Sequence, residues 1–331
     1  MLRRHSLVLF AMGTAAAVAA VVLLMDTAGY SALVEVVGRL DPVWLPICFG
    51  GQLLAYLGYV LALRDIARVD DGPRLSFSLT TRTVVAGFGV YAATHGSGGF
   101  RVDYWALRRS GLPRDEAIAR VLGLGALEYA VLAPAALISA LVLLLGDGGD
   151  HVQDAMTLPW LLVVHGFAAA VWVSSPRRAQ RLSVARDGGR LRTTFAHAVA
   201  GIVTLRSLAT RPHRHGLGLV GVSLYWLGDL ACLWAALQVF RVELSIPALI
   251  VAYATGYVLT RRSLPVGGAG VVEVLMTFAL VWVGLGLAPA LVAVVVYRVF
   301  NFWLAILPAT AVLPGLTQLR RDYELTDNET A

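Results

Sequence analysis

The stretch VLGLGALEYAVLAPAALISALVLLL, from Val121 to Leu145, decides the fold class of this chain. Glu128 is its only charged residue. As a helix, a run of this length reaches about 37 Å, which is enough to cross a hydrocarbon core about 30 Å thick. The stretch therefore predicts a transmembrane helix.

Similar apolar runs recur along the chain. The 331 residues are 58% hydrophobic and 15% charged, whereas soluble domains are about 45–50% apolar and about 25% charged. The first run follows a basic start but is too long for the apolar part of a signal peptide, so we predict a retained helix. The five further runs are Leu7 to Met25, Val43 to Leu63, Leu158 to Val173, Gly216 to Phe240 and Ala288 to Leu313.

The composition also excludes several kinds of chemistry. All 27 basic residues are arginine, which rules out lysine Schiff bases and the lysine-containing phosphate loop of many ATPases. Cys48 and Cys232 both lie inside apolar runs, and the chain has no CxxC or HExxH spacing. We predict no catalytic residue, no metal and no cofactor.

The arginines are concentrated in alternate connections. Two precede the first run, nine lie between Arg177 and Arg214, and two follow the last run at Arg320 and Arg321. The segment Gly146 to Thr157 has three aspartates and no arginine. Because basic loops stay on the cytoplasmic side, both termini are predicted to be cytoplasmic and the protein to be a multi-pass protein of the inner (plasma) membrane.

Two glycine-rich breaks interrupt segments that begin and end on the same side. The first is His95-Gly96-Ser97-Gly98-Gly99, and the second runs from Arg261 to Gly270. The apolar stretch Thr83 to Thr94 before the first break reaches only about 18 Å as a helix, so it must turn back. We therefore predict two re-entrant broken helix pairs that enter from opposite faces, beside about six full spans, giving about eight membrane segments in an all-α fold.

The sequences after the two breaks are alike. Gly98-Gly99 leads to Arg120-Val121, and Gly267-Gly268 leads to Arg298-Val299. Combined with the opposite entry directions, this similarity predicts an inverted repeat, a fold that places substrate near the membrane midplane. The predicted parts are a single membrane domain over residues 1–321, with halves at 1–145 and 158–313, and a short disordered tail at 322–331.

The basic connection 174–215 is predicted to be cytoplasmic. It lacks the aromatic stacking or groove-reading residues of a nucleic-acid module, so no nucleic-acid partner is predicted. Its arginines set the topology, and its stretch Pro176 to Thr194 is predicted to form an amphipathic helix at the membrane surface.

Charged side chains at bilayer depth are candidates for function, because each costs roughly 2.5–3.5 kcal/mol there. Arginine binds phosphate through a fork of N–H donors, and helix N-termini at the breaks would favour an anion. Structural ion pairs are the alternative for Glu128 with Arg120 and for Glu273 with Arg298, and Asp229 is predicted to pair with Arg262 or Arg298. Asp103 is predicted to lie on a solvated face. The predicted substrate-binding residues are Arg101, Arg120, Glu128, Asp229, Arg262, Gly267, Gly268, Glu273 and Arg298.

These residues carry a resemblance to a known family. Gly98 to Arg101 with Ser110 to Pro113, the run Leu264 to Glu273, and Tyr297-Arg298 with Phe302-Trp303 resemble the lysylphosphatidylglycerol synthase transmembrane family, also called flippase-like domain proteins. In the bacterial multiple peptide resistance factors, such a domain moves aminoacylated phosphatidylglycerol across the membrane while a cytoplasmic domain makes that lipid. The residues after the last apolar run leave no room for such a synthase domain, so aminoacyl transfer is not implied.

The resemblance implies a lipid transporter rather than an enzyme. Its substrate would be an anionic lipid: a phospholipid, aminoacylated phosphatidylglycerol or a lipid linked to polyprenyl phosphate. The alternative is an intramembrane transferase, or an accessory partner of a lipid-modifying or glycosyl transferase. The sequence shows no paired-aspartate cluster to hold the metal that such a transferase usually needs, and it leaves the oligomeric state open.

Overall fold

The computed structural model describes residues 4–93, 98–146, 154–175, 177–178, 189–210, 212–258 and 268–311. Over these residues the chain is helical and contains no strand. The helices are α1 (Arg4–Ala28), α2 (Tyr30–Val37), α3 (Leu45–Ala67), α4 (Phe77–Ala93), α5 (Gly98–Arg109), α6 (Arg114–Leu145), α7 (Asp154–Leu161), α8 (Val163–Val173), α9 (Gly189–Thr210), α10 (Pro212–Gln238), α11 (Ile246–Tyr253), α12 (Val271–Trp282) and α13 (Leu287–Arg298).

Two π-helices continue these elements. One, Ala254–Val258, follows α11 directly, and the other, Val299–Trp303, follows α13. Short π-helical segments inside longer helices often occur at functional sites, because the extra residue in the turn shifts the side chains that follow it. Both π-helices belong to the second half of the chain.

Six helical segments are long and apolar enough to cross a membrane within the described residues. They confirm the predicted all-α membrane protein with about six full spans. The predicted shorter span extends back to Asp154 and is divided near Pro159 into α7 and α8. The six are Ala11–Ala28, Pro42–Ala67, Arg114–Leu145, Asp154–Val173, Gly216–Gln238 and Leu287–Ala311.

Helices α3 and α10 form the centre of the fold and pack with their backbones in contact. A Cβ atom added to Gly58 would lie 2.4 Å from both the carbonyl oxygen of Gly221 and the backbone nitrogen of Tyr225. A Cβ added to Gly51 would lie 2.6 Å from the carbonyl oxygen of Gly228. Small residues that allow such close approach are typical of helix pairs in membranes, where packing rather than the hydrophobic effect drives association.

The contacts between α3 and α10 are reciprocal. A Cβ added to Gly221 would lie 2.6 Å from the carbonyl oxygen of Gly58, and one added to Gly228 would lie 2.4 Å from that of Gly51. Gly51 and Gly58 each have their counterpart 170 residues later in the chain. Two antiparallel helices that touch through equivalent positions are related by an approximate two-fold axis, which is the relation that an inverted repeat requires.

Two shorter helix pairs flank this centre. Helix α4 packs against α5, and α11 with its π-helix packs against α12. The first predicted break, His95 to Gly99, begins between α4 and α5 and ends in the first turn of α5, and the second falls between the first π-helix and α12. Most of the residues of both breaks lie outside the described residues, so the re-entrant turns, like the cytoplasmic termini, stay predictions.

Candidate functional site

A cavity of about 220 Å³ opens between α1 and the helices α12 and α13. Val18, Val22 and Val299 lie at it and are exposed on the outer surface of the helix bundle, where a span faces lipid. Ala17, near the middle of α1, also lines the cavity, which therefore lies near half the depth of that span. Its lining consists of Ala17, Val18, Val21, Val22, Glu273, Val295, Arg298, Val299 and Trp303.

Among the described residues of this lining, Glu273 and Arg298 are the only charged ones. The Nε of Arg298 donates to Oε1 of Glu273 at 2.8 Å, and each side chain is no more than 3% exposed. A buried pair of this kind needs further hydrogen bonds to offset the desolvation of both charges. An apolar cavity with one ion pair is the most conspicuous chemical feature of the described chain.

The start of α12 fixes Glu273. The backbone N–H of Gly270 donates to Oε2 of Glu273 at 2.7 Å, and Glu273 lies in the first turn, where the helix dipole favours an anion. Gly270 has φ +86° and packs against the backbone of Ala16, 3.1 Å from the position of a Cβ. Only glycine meets both demands without strain, so the close contact with α1 and the orientation of Glu273 depend on the same residue.

The second π-helix supports Arg298. The guanidinium carbon of Arg298 lies 4.4 Å from the centre of the Phe302 ring, within the range of a cation–π interaction. Its Nη1 also donates to Oδ1 of Asn301 at 3.4 Å. Both partners follow Arg298 within one turn, so the π-helix aligns their side chains with the end of α13.

Asp229, in the middle of α10, lies behind this ion pair and is 1% exposed. The side-chain amides of Gln52 and Asn301 each donate to its Oδ1 at 2.7 Å. The hydroxyls of Tyr253 and Tyr297 donate to its Oδ2, that of Tyr297 at 3.0 Å. The carboxylate thus receives four hydrogen bonds, and all four donors are uncharged.

Of the two arginines predicted to pair with Asp229, Arg298 does not contact it directly. Asn301 stands between them, accepting from Arg298 and donating to Asp229. Its amide group can do both, because it carries an acceptor oxygen and two donor hydrogens. The other predicted partner, Arg262, lies outside the described residues, as does Gly267.

The remaining predicted site residues do not line the cavity. Arg101 is exposed at the start of α5, and Glu128 is buried on α6, where its backbone carbonyl accepts from the indole of Trp226 at 2.8 Å. Gly268 precedes α12 with φ +68°. The expected pairing of Glu273 with Arg298 is present, and these two are the predicted site residues that the cavity brings together.

Arg120 holds the end of a neighbouring helix. Its Nη1 donates to the backbone carbonyls of Ile66, Ala67 and Val69, where α3 ends and leaves acceptors unpaired. Its Nη2 also reaches Glu116 on its own helix at 3.4 Å. Arg120 therefore acts as a cap for α3, and we leave it out of the candidate site.

The prediction that Asp103 lies on a solvated face is wrong. It is 2% exposed rather than solvated, and the hydroxyl of Tyr59 donates to its Oδ2 at 2.8 Å. With the spacing that relates Gly51 to Gly221, Asp103 corresponds to Glu273 and Tyr59 to Asp229. Each half thus has a buried carboxylate close after its glycine break.

Four members of the site were not among the predicted site residues: Gln52, Tyr253, Tyr297 and Asn301. Uncharged polar groups are common enough in membrane helices that no single one indicates a site. Their common signal is that each is a hydrogen-bonding side chain inside an apolar run, and only the packing shows that they converge on one carboxylate.

The chain matches the family described as lysylphosphatidylglycerol synthase TM region over residues 8–309. It belongs to that family. The match spans nearly all of the described helices and includes every charged residue of the cavity and of the network around Asp229. No curated protein matches the chain. As a member of the lysylphosphatidylglycerol synthase TM family, the protein is a multi-pass membrane protein.

The assignment of Arg120 as a cap can be tested by replacing it with methionine. We expect Arg120→Met to lower the free energy of unfolding by about 2–3 kcal/mol, since hydrogen bonds from a charged donor to buried carbonyls are lost. The measurement is unfolding in mixed micelles. Arg114→Met, at an exposed position of the same helix, is the control and should leave the free energy of unfolding unchanged; an Arg120→Met protein as stable as this control would contradict the assignment.

Proposed function

We propose that this protein moves an anionic lipid from one leaflet of a membrane to the other. The observation that carries the proposal is the cavity itself: it opens on the outer surface of the helix bundle beside the middle of α1, and Glu273 and Arg298 are the only charged residues in its described lining. Family membership supports a flippase-like role at a coarser level. We place the protein in the plasma membrane of the cell, with an anionic phospholipid as the substrate class.

The barrier to lipid movement is the headgroup charge. A charged group at the bilayer centre costs several kcal/mol, whereas acyl chains can remain in hydrocarbon throughout. A guanidinium has five N–H donors, so a phosphate that enters the cavity can share Arg298 with Glu273. Glu273 then balances the guanidinium before and after the lipid is bound.

The size of the cavity limits what it can enclose. At about 220 Å³ it is smaller than the roughly 300–1,000 Å³ of pockets for drug-sized ligands. It therefore suits a headgroup, with the chains left outside between α1 and the surrounding lipid. Movement of the headgroup past mid-depth would follow from a shift of one half against the other, as in transporters built from inverted repeats.

The direct experiment follows fluorescent phosphatidylglycerol and a polyprenyl phosphate across vesicles that contain the purified protein. We expect faster exchange between leaflets than in vesicles without protein, with the favoured lipid identifying the substrate class. The same assay with phosphatidylcholine tests whether the headgroup must be anionic. Absence of movement by well-folded protein would contradict the proposal and favour the accessory role beside a transferase.

A pocket-filling substitution tests the site without touching the ion pair. Val21 lines the cavity from α1, so we expect Val21→Trp to reduce lipid movement at least about tenfold while the protein remains folded, because indole occupies the space of the headgroup. Val8→Trp, at an exposed position of the same helix outside the lining, is the matched control. Equal rates for the two variants would show that the cavity is not the path.

A further inference from the structure

We propose that Asp229 is a proton-binding site that couples lipid movement to a proton gradient, so that one proton crosses with each anionic lipid. This inference rests on the proposed function and adds its driving force. It starts from the position of Asp229: the carboxylate is 1% exposed, in the middle of a span, and within the described residues no cation contacts it directly.

The first step of the argument for proton uptake is the net charge of the network around Asp229. Asp229, Glu273 and Arg298 are joined through Asn301, and with all three ionised they sum to one negative charge. Glu273 and Arg298 already neutralise each other at 2.8 Å. Asp229 is thus a buried anion stabilised only by dipoles, which is the arrangement in which a proton is taken up when a further negative charge arrives.

The groups around Asp229 determine which of them responds to a change of charge at Arg298. Tyr253 on α11 and Tyr297 on α13 contact Asp229 directly, and Cys232 lies near it on its own helix. Beyond these lie Cys48 on α3, which contacts Cys232, Arg298 on α13, which contacts Asn301, and Glu128 on α6, whose backbone carbonyl contacts Trp226. Thiols and tyrosines are neutral near pH 7, and Glu128 contacts Trp226 through its backbone carbonyl. Glu273 is already paired with Arg298. Asp229, joined to Arg298 through Asn301, is therefore the next carboxylate exposed to a change of charge at Arg298.

An anionic headgroup supplies that change. A phosphate on Arg298 competes with Glu273 and leaves the network with two negative charges instead of one. A proton taken from water then forms an O–H bond at Oδ2 of Asp229, where the hydroxyl of Tyr253 or Tyr297 can turn from donor to acceptor. By linkage, lipid binding raises proton affinity and proton binding raises lipid affinity by the same factor.

Protonation of Asp229 affects the two π-helices. Tyr253 immediately precedes the first π-helix, and Asn301 lies inside the second. Both donate to Asp229, so its protonation weakens the bonds that hold the two segments to α10. The loaded and empty forms then differ in how firmly the second half is tied to the centre of the fold.

The test follows fluorescent phosphatidylglycerol in protein-containing vesicles under an imposed pH gradient. We expect a gradient of one pH unit to shift the steady-state leaflet ratio about tenfold toward the alkaline side, because one proton per lipid converts the gradient directly into a lipid gradient. A potassium–valinomycin potential should have no effect, since lipid and proton together are neutral. In a weakly buffered solution with detergent, adding phosphatidylglycerol should take up about one proton per protein.

Asp229→Asn is the decisive variant. The tyrosine hydroxyls can accept from the new amide, so the fold should persist, and lipid movement should lose its response to the pH gradient and gain a response to voltage. Asp103→Asn changes an equally buried carboxylate outside the network and should keep the native responses. Lipid movement by the native protein that ignores the pH gradient would overturn the coupling and leave the proposed function standing; no movement would overturn both.

Discussion

Arg298→Ala is expected to lower the free energy of unfolding by about 3–5 kcal/mol, because it leaves Glu273 charged, buried and without its partner. It should also abolish lipid movement, since the only cation among the described residues of the cavity lining is gone. The stability loss is measured by unfolding in mixed micelles. Arg39→Ala breaks an exposed ion pair with Glu35 and should cost at most about 0.5 kcal/mol.

A double substitution separates the structural from the functional effect of this pair. Replacing a buried ion pair with apolar residues of similar size is often neutral or stabilising. Arg298→Met combined with Glu273→Met should therefore regain most of the stability lost by Arg298→Ala, while lipid movement remains absent. Transport by the double variant would show that the ion pair serves the fold and not the substrate.

Gly58→Val is expected to destabilise the fold by at least about 3 kcal/mol or to prevent folding. The new Cβ would lie 2.4 Å from backbone atoms of α10, which cannot move as a flexible side chain can, so the two central helices must separate. Gly221→Val should have a similar effect, because it makes the reciprocal contact. The measurement is thermal unfolding in detergent.

Gly50→Val is the matched control for this prediction. Gly50 lies on the same helix, and a Cβ there would meet nothing within 4 Å. Gly50→Val should therefore be tolerated. Any general intolerance of α3 to valine would affect both positions equally and would show in this control. A Gly58→Val protein as stable as Gly50→Val would contradict the close packing of α3 with α10.

The spans and the central ion pair could be predicted from the sequence for simple reasons. The bilayer sets the length of a span, so hydropathy alone locates the six apolar helices. Charged residues inside such runs are rare, which made Glu273, Arg298 and Asp229 conspicuous. Family resemblance then pointed to the same segment of α12 and the end of α13.

The sequence predictions that were wrong or missing concern which side chains contact each other between helices. Asp103 follows a glycine break within a polar segment, and nothing local shows that Tyr59 from another helix covers it. The roles of Arg120 and Asn301 depend equally on which helices meet. The contact of α3 with α10 did have a signal, because Gly51 and Gly58, like Gly221 and Gly228, are spaced by seven residues and share a helix face.

The reciprocal packing of α3 on α10 bears on how the gene arose. Each half contributes three of the six long apolar helices. After an odd number of crossings the chain is on the opposite side of the membrane, so a tandem copy is inserted upside down without any additional segment. Two separate copies inserted in opposite directions would meet through the same glycines, because each helix presents the positions that the other needs. Such a contact is isologous, the kind that two identical, oppositely inserted subunits make, so joining two copies of one gene would preserve it.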